Sequence, residues 1–169
     1  MAADSKADSK KKQIAFQGVP GANSDVACRS VFPDMEPLAC ASFADAFAAV
    51  SEGEAALGMI PIDNSSAGRV ADIHHLLPES GLHIIGEHFQ KIEHQLVAPE
   101  GVELSDIKLV RSHVHALSQC RRFIRAHGWQ AVVHADTAGA AKDLAERKPQ
   151  VEAAIASALA AEIYGLEIL

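Results

Sequence analysis

The strongest constraint on this chain is an alternation. Short apolar runs, most of them closed by glycine, proline or a small polar residue, are followed by stretches with helical spacing. Gln13–Gln17, Leu38–Ala41, Ala55–Ile60, Leu109–Arg111, Gln130–His134 and Ala153–Ala156 read as strands. Between them, helices are expected from Asn23 or Ser24 to about Val31, over Phe43–Val50 behind Ser42, and over Arg69–Leu77. More follow from a Ser112 cap through Ala126, from Thr137 to about Arg147, and over Ser157–Tyr164, with a further strand beginning at Leu166. Strands alternating with helices call for an α/β fold with mostly parallel sheets, because parallel neighbours need a crossover connection. Leu82–Glu87 and Ile92–Ala98 read as extended, and the alternation lapses near Gly86 to Ala98, which marks the expected crossing between two lobes.

Composition narrows the function classes. With 15 Lys and Arg against 22 Asp and Glu, the formal net charge is −7. A general nucleic-acid binder needs a basic face to displace counterions, and 5% aromatics leave little for a base-stacking platform. No apolar run reaches the length of a membrane span, so neither a nucleic-acid nor a membrane partner is expected. Cys28, Cys40 and Cys120 are widely spaced and form no Cys-x-x-Cys pair, so free thiols in a reducing compartment are expected. Met1 to Lys12 lacks an apolar core, which excludes a secretory signal there and reads as a disordered arm of a cytoplasmic protein. The histidines include the neighbours His74 and His75 and the pair His113 and His115, but no His-x-x-x-His spacing with an acid between, so no metal site is expected.

Two segments carry candidate chemistry. In the helix expected after Ser112, Val114, Leu117, Cys120, Arg121 and Ile124 share one face. Ser112, His115 and Gln119 form a neutral hydrogen-bonding stripe opposite, suited either to a polar substrate or to a polar buried interface. The Pro61–Gly68 segment sets the Asp63 carboxylate beside the Asn64 amide directly after a strand, where Asp63 serves equally well as a local turn acceptor. Helix starts at Asn23/Ser24, Ser65/Ser66, Ser112 and Thr137 would offer N–H groups to a small organic acid if they gathered at strand ends.

The motifs go further. Ile14-Ala15-Phe16-Gln17-Gly18 with the Gly21-Ala22-Asn23-Ser24 turn, and Met59-Ile60-Pro61-Ile62-Asp63-Asn64-Ser65 with Gly68, are two of them. Ser112-His113-Val114-His115-Ala116-Leu117-Ser118-Gln119-Cys120 and Thr137-Ala138-Gly139-Ala140-Ala141 complete the set. In this order and spacing they resemble prephenate dehydratase, and the resemblance runs from about Gln13 to Leu169. Asp63-Asn64 stands where the family has Glu-Asn, one methylene shorter, and Val114-His115 replaces its Pro-Gln.

The resemblance implies a two-lobed, periplasmic-binding-protein-like (type II) α/β domain with an interlobe cleft. Lobe 1 would span about 13–88 and lobe 2 about 89–165, with 166–169 starting a return to lobe 1. It implies a carbon–oxygen lyase that converts prephenate to phenylpyruvate in phenylalanine biosynthesis, with no cofactor. Asn64, Ser112, Gln119 and Thr137 take the catalytic positions, and Gly21, Ala22, Asn23, Asp63, Ser65, His113 and His115 bind substrate. The family continues into a Thr-Arg-Phe segment, with the presumed general acid, and a regulatory ACT-type domain. The chain stops short of both, so low dehydratase activity and, from uncovered apolar surface, a homo-oligomer are expected. The alternative is a domain that binds a small carboxylate without changing it, or an inactive fragment.

Overall fold

A computed structural model describes residues 13–66 and 68–169. The disordered arm expected over residues 1–12 lies outside the described residues. The chain divides into two compact units. One holds the chain up to Val19 and Asn23–Gln90; the other takes Pro20–Ala22 and Lys91–Leu169.

In the first unit, β1 (Gln13–Gln17) is followed by α1 (Asn23–Val31), β2 (Glu36–Cys40), α2 (Phe43–Ser51) and β3 (Leu57–Met59). The sheet order is β2-β1-β3, with both pairs parallel. The central strand carries Ile14, Ala15 and Phe16 fully inside, as a parallel strand covered on both faces requires. β2 starts two residues earlier than expected and includes Pro37, which an edge strand tolerates because its outer N–H has no ladder partner to lose. The buried strand expected over Ala55–Ile60 shrinks to Leu57–Met59 and is only half-buried, since β3 is the other edge. α2 starts as the sequence implies: Ser42 and Asp45 form a reciprocal capping box. The segment after β3 folds as a small antiparallel hairpin, β4 (Asp63–Asn64) with β5 (Gly68–Arg69). The helix expected from Arg69 therefore begins later, as α3 (Ile73–Glu79), and Pro78 sits in its last turn.

The second unit is built on a five-stranded mixed sheet. Its elements are β6 (Gln95–Ala98), β7 (Leu109–Ser112), α4 (Val114–Gln119), α5 (Arg121–Ala126), β8 (Gln130–Val133), α6 (Thr137–Arg147), β9 (Glu152–Ala156), α7 (Ala158–Tyr164) and β10 (Glu167–Ile168). The order is β10-β6-β9-β7-β8; β9, β7 and β8 run parallel, while β6 and β10 pair antiparallel. Here the chain departs from the expected return to lobe 1: residues 167–169 pair with β6 of the same unit, Glu167 opposite Ala98. The extended stretch expected over Leu82–Glu87 forms no ladder, and only Gln95–Ala98 of the following one does.

The single helix expected from Ser112 to Ala126 is two. The backbone bends at Cys120, with φ −91° and ψ 3°, while hydrogen bonds from Cys120 N–H to Ala116 O and Ile124 N–H to Cys120 O continue across it. Leu117 and Ile124 face the core with Val110 and Ile155, as expected; Val114 and Arg121 are exposed, against expectation. Among the described residues, no helix is long and apolar enough to cross a membrane.

Candidate functional site

In the first unit the candidate residues lie in the β4–β5 hairpin and at the start of α1. Asp63 Oδ1 accepts from Asn64 N–H at 2.8 Å, and Asn64 Oδ1 accepts from Ser66 N–H at 2.9 Å, an Asx turn. Asp63 and Ser65 are exposed and Asn64 is half-buried, so this turn presents a carboxylate and an amide to solvent. Asn23 is the first residue of α1 and is half-buried. Two residues on, Asp25 is completely buried and accepts from Arg29 Nε at 2.8 Å. Sequence reasoning passed over that pair, although its i,i+4 spacing on a helix was a readable signal.

Gly21 belongs to the second unit. Its carbonyl accepts from the Ser157 hydroxyl at 2.6 Å, and the neighbouring Pro20 carbonyl accepts from Tyr164 Oη at 2.8 Å. A Cβ at position 21 would lie 2.7 Å from Ala160 Cα, and the backbone there has φ +87°. Glycine is therefore required at 21 for close packing against α7, whose N-cap is Ser157. Ala22 is half-buried beside it.

Ser112 does not cap a helix. It ends β7, is completely buried, and donates its hydroxyl proton to Ile155 O on β9 at 2.6 Å. The cap is His113, whose Nδ1 accepts from His115 N–H at 3.4 Å. The two imidazoles lie 4.9 Å apart, tilted by 53°. Burial first, and the His115 ring second, push His113 below the usual imidazole pKa, against an opposing pull from Asp136. Protonating His113 would remove the acceptor of its own cap.

Thr137 is the first residue of α6, as expected, but the capping side chain is Asp136, which accepts from Gly139 N–H. Beside it, His134 Nε2–H donates to Asp143 Oδ2 at 3.0 Å. The carboxyl ends of β7 and β8, adjacent strands, thus bring His113, His134 and Asp136 into one neighbourhood with Thr137. Gln119 stands apart, at the far end of α4, with its Oε1 2.9 Å from His94 Nε2. The expected stripe of Ser112, His115 and Gln119 is therefore dissolved: His115 and Gln119 are exposed and Ser112 is turned into the sheet. His94, Asp136, Ser157 and Tyr164 are the partners that the motifs alone did not single out.

The thiols are poor nucleophiles. Burial raises the pKa of Cys120 and Cys40, and burial with the Asp25 carboxylate pushes Cys28 up to about 12. At neutral pH all three stay protonated. Among the described residues, no three His, Cys, Asp or Glu side chains gather in a group that would hold a metal ion. What the candidate residues offer is a set of neutral hydrogen-bonding groups with one exposed carboxylate.

Residues 14–169 match the family model for prephenate dehydratase. The chain is 51% identical over 156 residues to the bifunctional N-acyl-homoserine lactone acylase/prephenate dehydratase of Komagataeibacter europaeus, covering 92% of this chain and 56% of that protein. It is 37% identical over 166 residues to arogenate dehydratase/prephenate dehydratase 2, chloroplastic, of Arabidopsis thaliana, covering 98% and 44%. The crystal structure of prephenate dehydratase in complex with L-Phe from Arthrobacter aurescens superposes with a TM-score of 0.85 at 35% identity, over 93% of this chain and 54% of that one. The chain thus spans about half the length of the curated relatives it matches. The match takes in the Asp63-Asn64 turn, the Ser112-His113 strand end and the Thr137 helix start alike, and by it the chain belongs to the prephenate dehydratase family.

Proposed function

We propose that this chain carries the chemistry of prephenate dehydratase: loss of water and carbon dioxide from prephenate to give phenylpyruvate, in phenylalanine biosynthesis in the cytoplasm. The observation that carries the reading is the family match over residues 14–169, which spans every candidate residue. The physical demands fit the groups present. Prephenate is a dianion, and aromatisation of its ring supplies much of the driving force. The protein has to orient the acid groups and hydrogen-bond the departing hydroxyl. Neutral amides and hydroxyls do both without thiolate, metal or organic cofactor.

In this reading the Asn64 and Gln119 amides and the Thr137 hydroxyl contact the reacting molecule. Asp63, Ser65, His113, His115 and the Gly21-Ala22-Asn23 segment help to bind it, and the active form is a homo-oligomer. Ser112, buried with its proton given to Ile155 O, acts by fixing the strand end that presents His113. The test is phenylpyruvate formation from prephenate near neutral pH, with the non-enzymatic background subtracted. Product above background supports the reading. Saturable prephenate binding without turnover would make the chain a carboxylate-binding domain, and no binding would defeat both.

A second reading rests on the relative named as a bifunctional N-acyl-homoserine lactone acylase/prephenate dehydratase, 51% identical to this chain. Amide hydrolysis of an N-acyl-homoserine lactone releases free homoserine lactone and a fatty acid. Their appearance, suppressed by Thr137→Val or His113→Ala, would favour that activity.

A further inference from the structure

Gln119 and His94 are 25 residues apart in the second unit, and their side-chain ends meet at 2.9 Å. Gln119 is the last residue of α4 and is exposed; a long exposed carboxamide at a helix end ordinarily samples several rotamers. His94 is half-buried, directly before β6, and lies in the wall of a cavity of about 270 Å³ shared with Leu96, Cys120, Trp129 and Ile155. The imidazole is thus seated in the fold and the carboxamide is not.

The atoms that meet decide what the contact does. The Gln119 atom facing the ring is the carbonyl oxygen, which can only accept, so the contact is a hydrogen bond in the tautomer that carries the proton on Nε2. The carboxamide then has its acceptor occupied and keeps both N–H donors. A carboxamide in the opposite sense would bond the ring through its nitrogen and present its oxygen, which repels a carboxylate. We propose that His94 is a positioning residue for Gln119: the ring N–H held 2.9 Å from Gln119 Oε1 locks the carboxamide in the sense that presents two N–H donors to an anionic ligand. This rests on the reading that Gln119 contacts the carboxylate-bearing substrate.

The cost of losing it is that of freeing a rotamer and of allowing the wrong sense, about tenfold in ligand affinity.

The test has a ligand-free arm and a binding arm. In uniformly 15N-labelled protein, the neutral His94 ring should carry its proton on Nε2, and the Gln119 side-chain NH2 should give a dispersed pair of cross-peaks. His94→Leu, similar in volume, should collapse that pair toward the averaged amide position, and His94→Gln, which puts an N–H donor where Nε2 stood, should restore it. A proton on Nδ1, or a Gln119 pair indifferent to His94→Leu, would overturn the proposal without any ligand. In the binding arm, prephenate is titrated by calorimetry into wild type, His94→Leu, Gln119→Ala and the double variant. About tenfold weakening in each single variant, with the double no weaker than Gln119→Ala, supports positioning. Weakening by Gln119→Ala but not by His94→Leu, or strict additivity, overturns it. An unchanged affinity in Gln119→Ala overturns instead the reading that Gln119 meets the substrate.

Discussion

In the first unit the Asp63 carboxylate bonds the next residue in the chain, and the Asn64 amide bonds a residue two further on. In the second, the Ser112 hydroxyl reaches across 43 residues to Ile155, His94 across 25 to Gln119, and Ser157 across 136 to Gly21. Each of these bonds has at least one partner in a family motif, yet the two sets are held differently. A bond between chain neighbours forms wherever the local backbone allows it, folded or not. A bond across a sheet exists only in the folded unit and contributes to its stability. Candidate residues of the second unit should therefore mix structural and functional effects when replaced, whereas those of the first should report function almost alone.

The largest break in this contrast should come from Gly21→Ala. The added methyl would sit 2.7 Å from Ala160 Cα and 2.8 Å from its Cβ, and the position has φ +87°. Backbone cannot yield as a flexible side-chain end would. We expect a loss of about 2–4 kcal/mol from overpacking and left-handed strain together, read as a lower urea midpoint. A change under about 1 kcal/mol would mean that the Pro20–Ala22 segment is not seated on α7.

Next in size is Ser112→Ala. It leaves the strand pairing with Val133 intact but removes the 2.6 Å bond to Ile155 O in a fully buried setting. The expected loss is about 1–3 kcal/mol, the cost of a buried group left without its partner. If Ser112→Ala left stability unchanged while abolishing phenylpyruvate formation, the serine would be a substrate contact after all, and the contrast between the units would fail at its main example.

These cases mark how far the sequence was legible. Strands and helices whose pattern is local were readable: β1, β8, α6 and α7 start or end within a residue of expectation, because apolar runs, caps and glycine stops are written in adjacent residues. The α/β class followed from their alternation. The misreadings share one cause. Ser112 looked like a cap because serine often is one; whether its hydroxyl turns to its own helix or to β9 depends on a strand 43 residues away. The hairpin at Asp63–Arg69 and the pairing of β10 with β6 are likewise decided by partners outside the local window. His94 escaped notice because a lone histidine before a strand carries no signal until the fold brings Gln119 to it.

Acidification should separate the units again, with a smaller effect. In the second unit, Glu152 accepts from Arg111 Nε and from Arg147 Nη2, both at 2.9 Å, and these bonds hold its carboxyl below the usual 4.5. A depressed carboxylate contributes stability that is present above its unfolded pKa and lost as pH falls through the folded value. His113, also depressed, contributes in the same sense: its share is present above the usual 6.5 and lost as pH falls through its lowered value. Urea midpoints should thus decline in two stages, one beginning near pH 6.5 and one below pH 4.5, each about 1 kcal/mol or less. His113→Asn, which keeps a capping acceptor, should flatten the first stage, and Glu152→Gln the second. A single stage unaffected by either substitution would place the acid sensitivity elsewhere.

The smallest effect on stability, and the sharpest test of the contrast, belongs to Asp63→Ala. Its carboxylate is exposed and, among the described residues, bonds only the following backbone N–H, an N–H that water serves equally well. The β4–β5 pairing uses the backbone of residues 63 and 64, which alanine retains. Stability should change by no more than about 0.5 kcal/mol. Ligand affinity is another matter, because an exposed carboxylate beside a dianion either repels it or meets its hydroxyl through a hydrogen bond. If Asp63 binds a substrate hydroxyl, Asp63→Ala should weaken prephenate binding several-fold, and Asp63→Asn, which still accepts and donates there, should recover most of it. If the carboxylate merely stands near the dianion, both variants should tighten binding, increasingly so at low ionic strength where screening is weak. A stability loss of 1 kcal/mol or more in Asp63→Ala would show the hairpin to be held by more than its own backbone, and the distinction drawn between the two units would not stand.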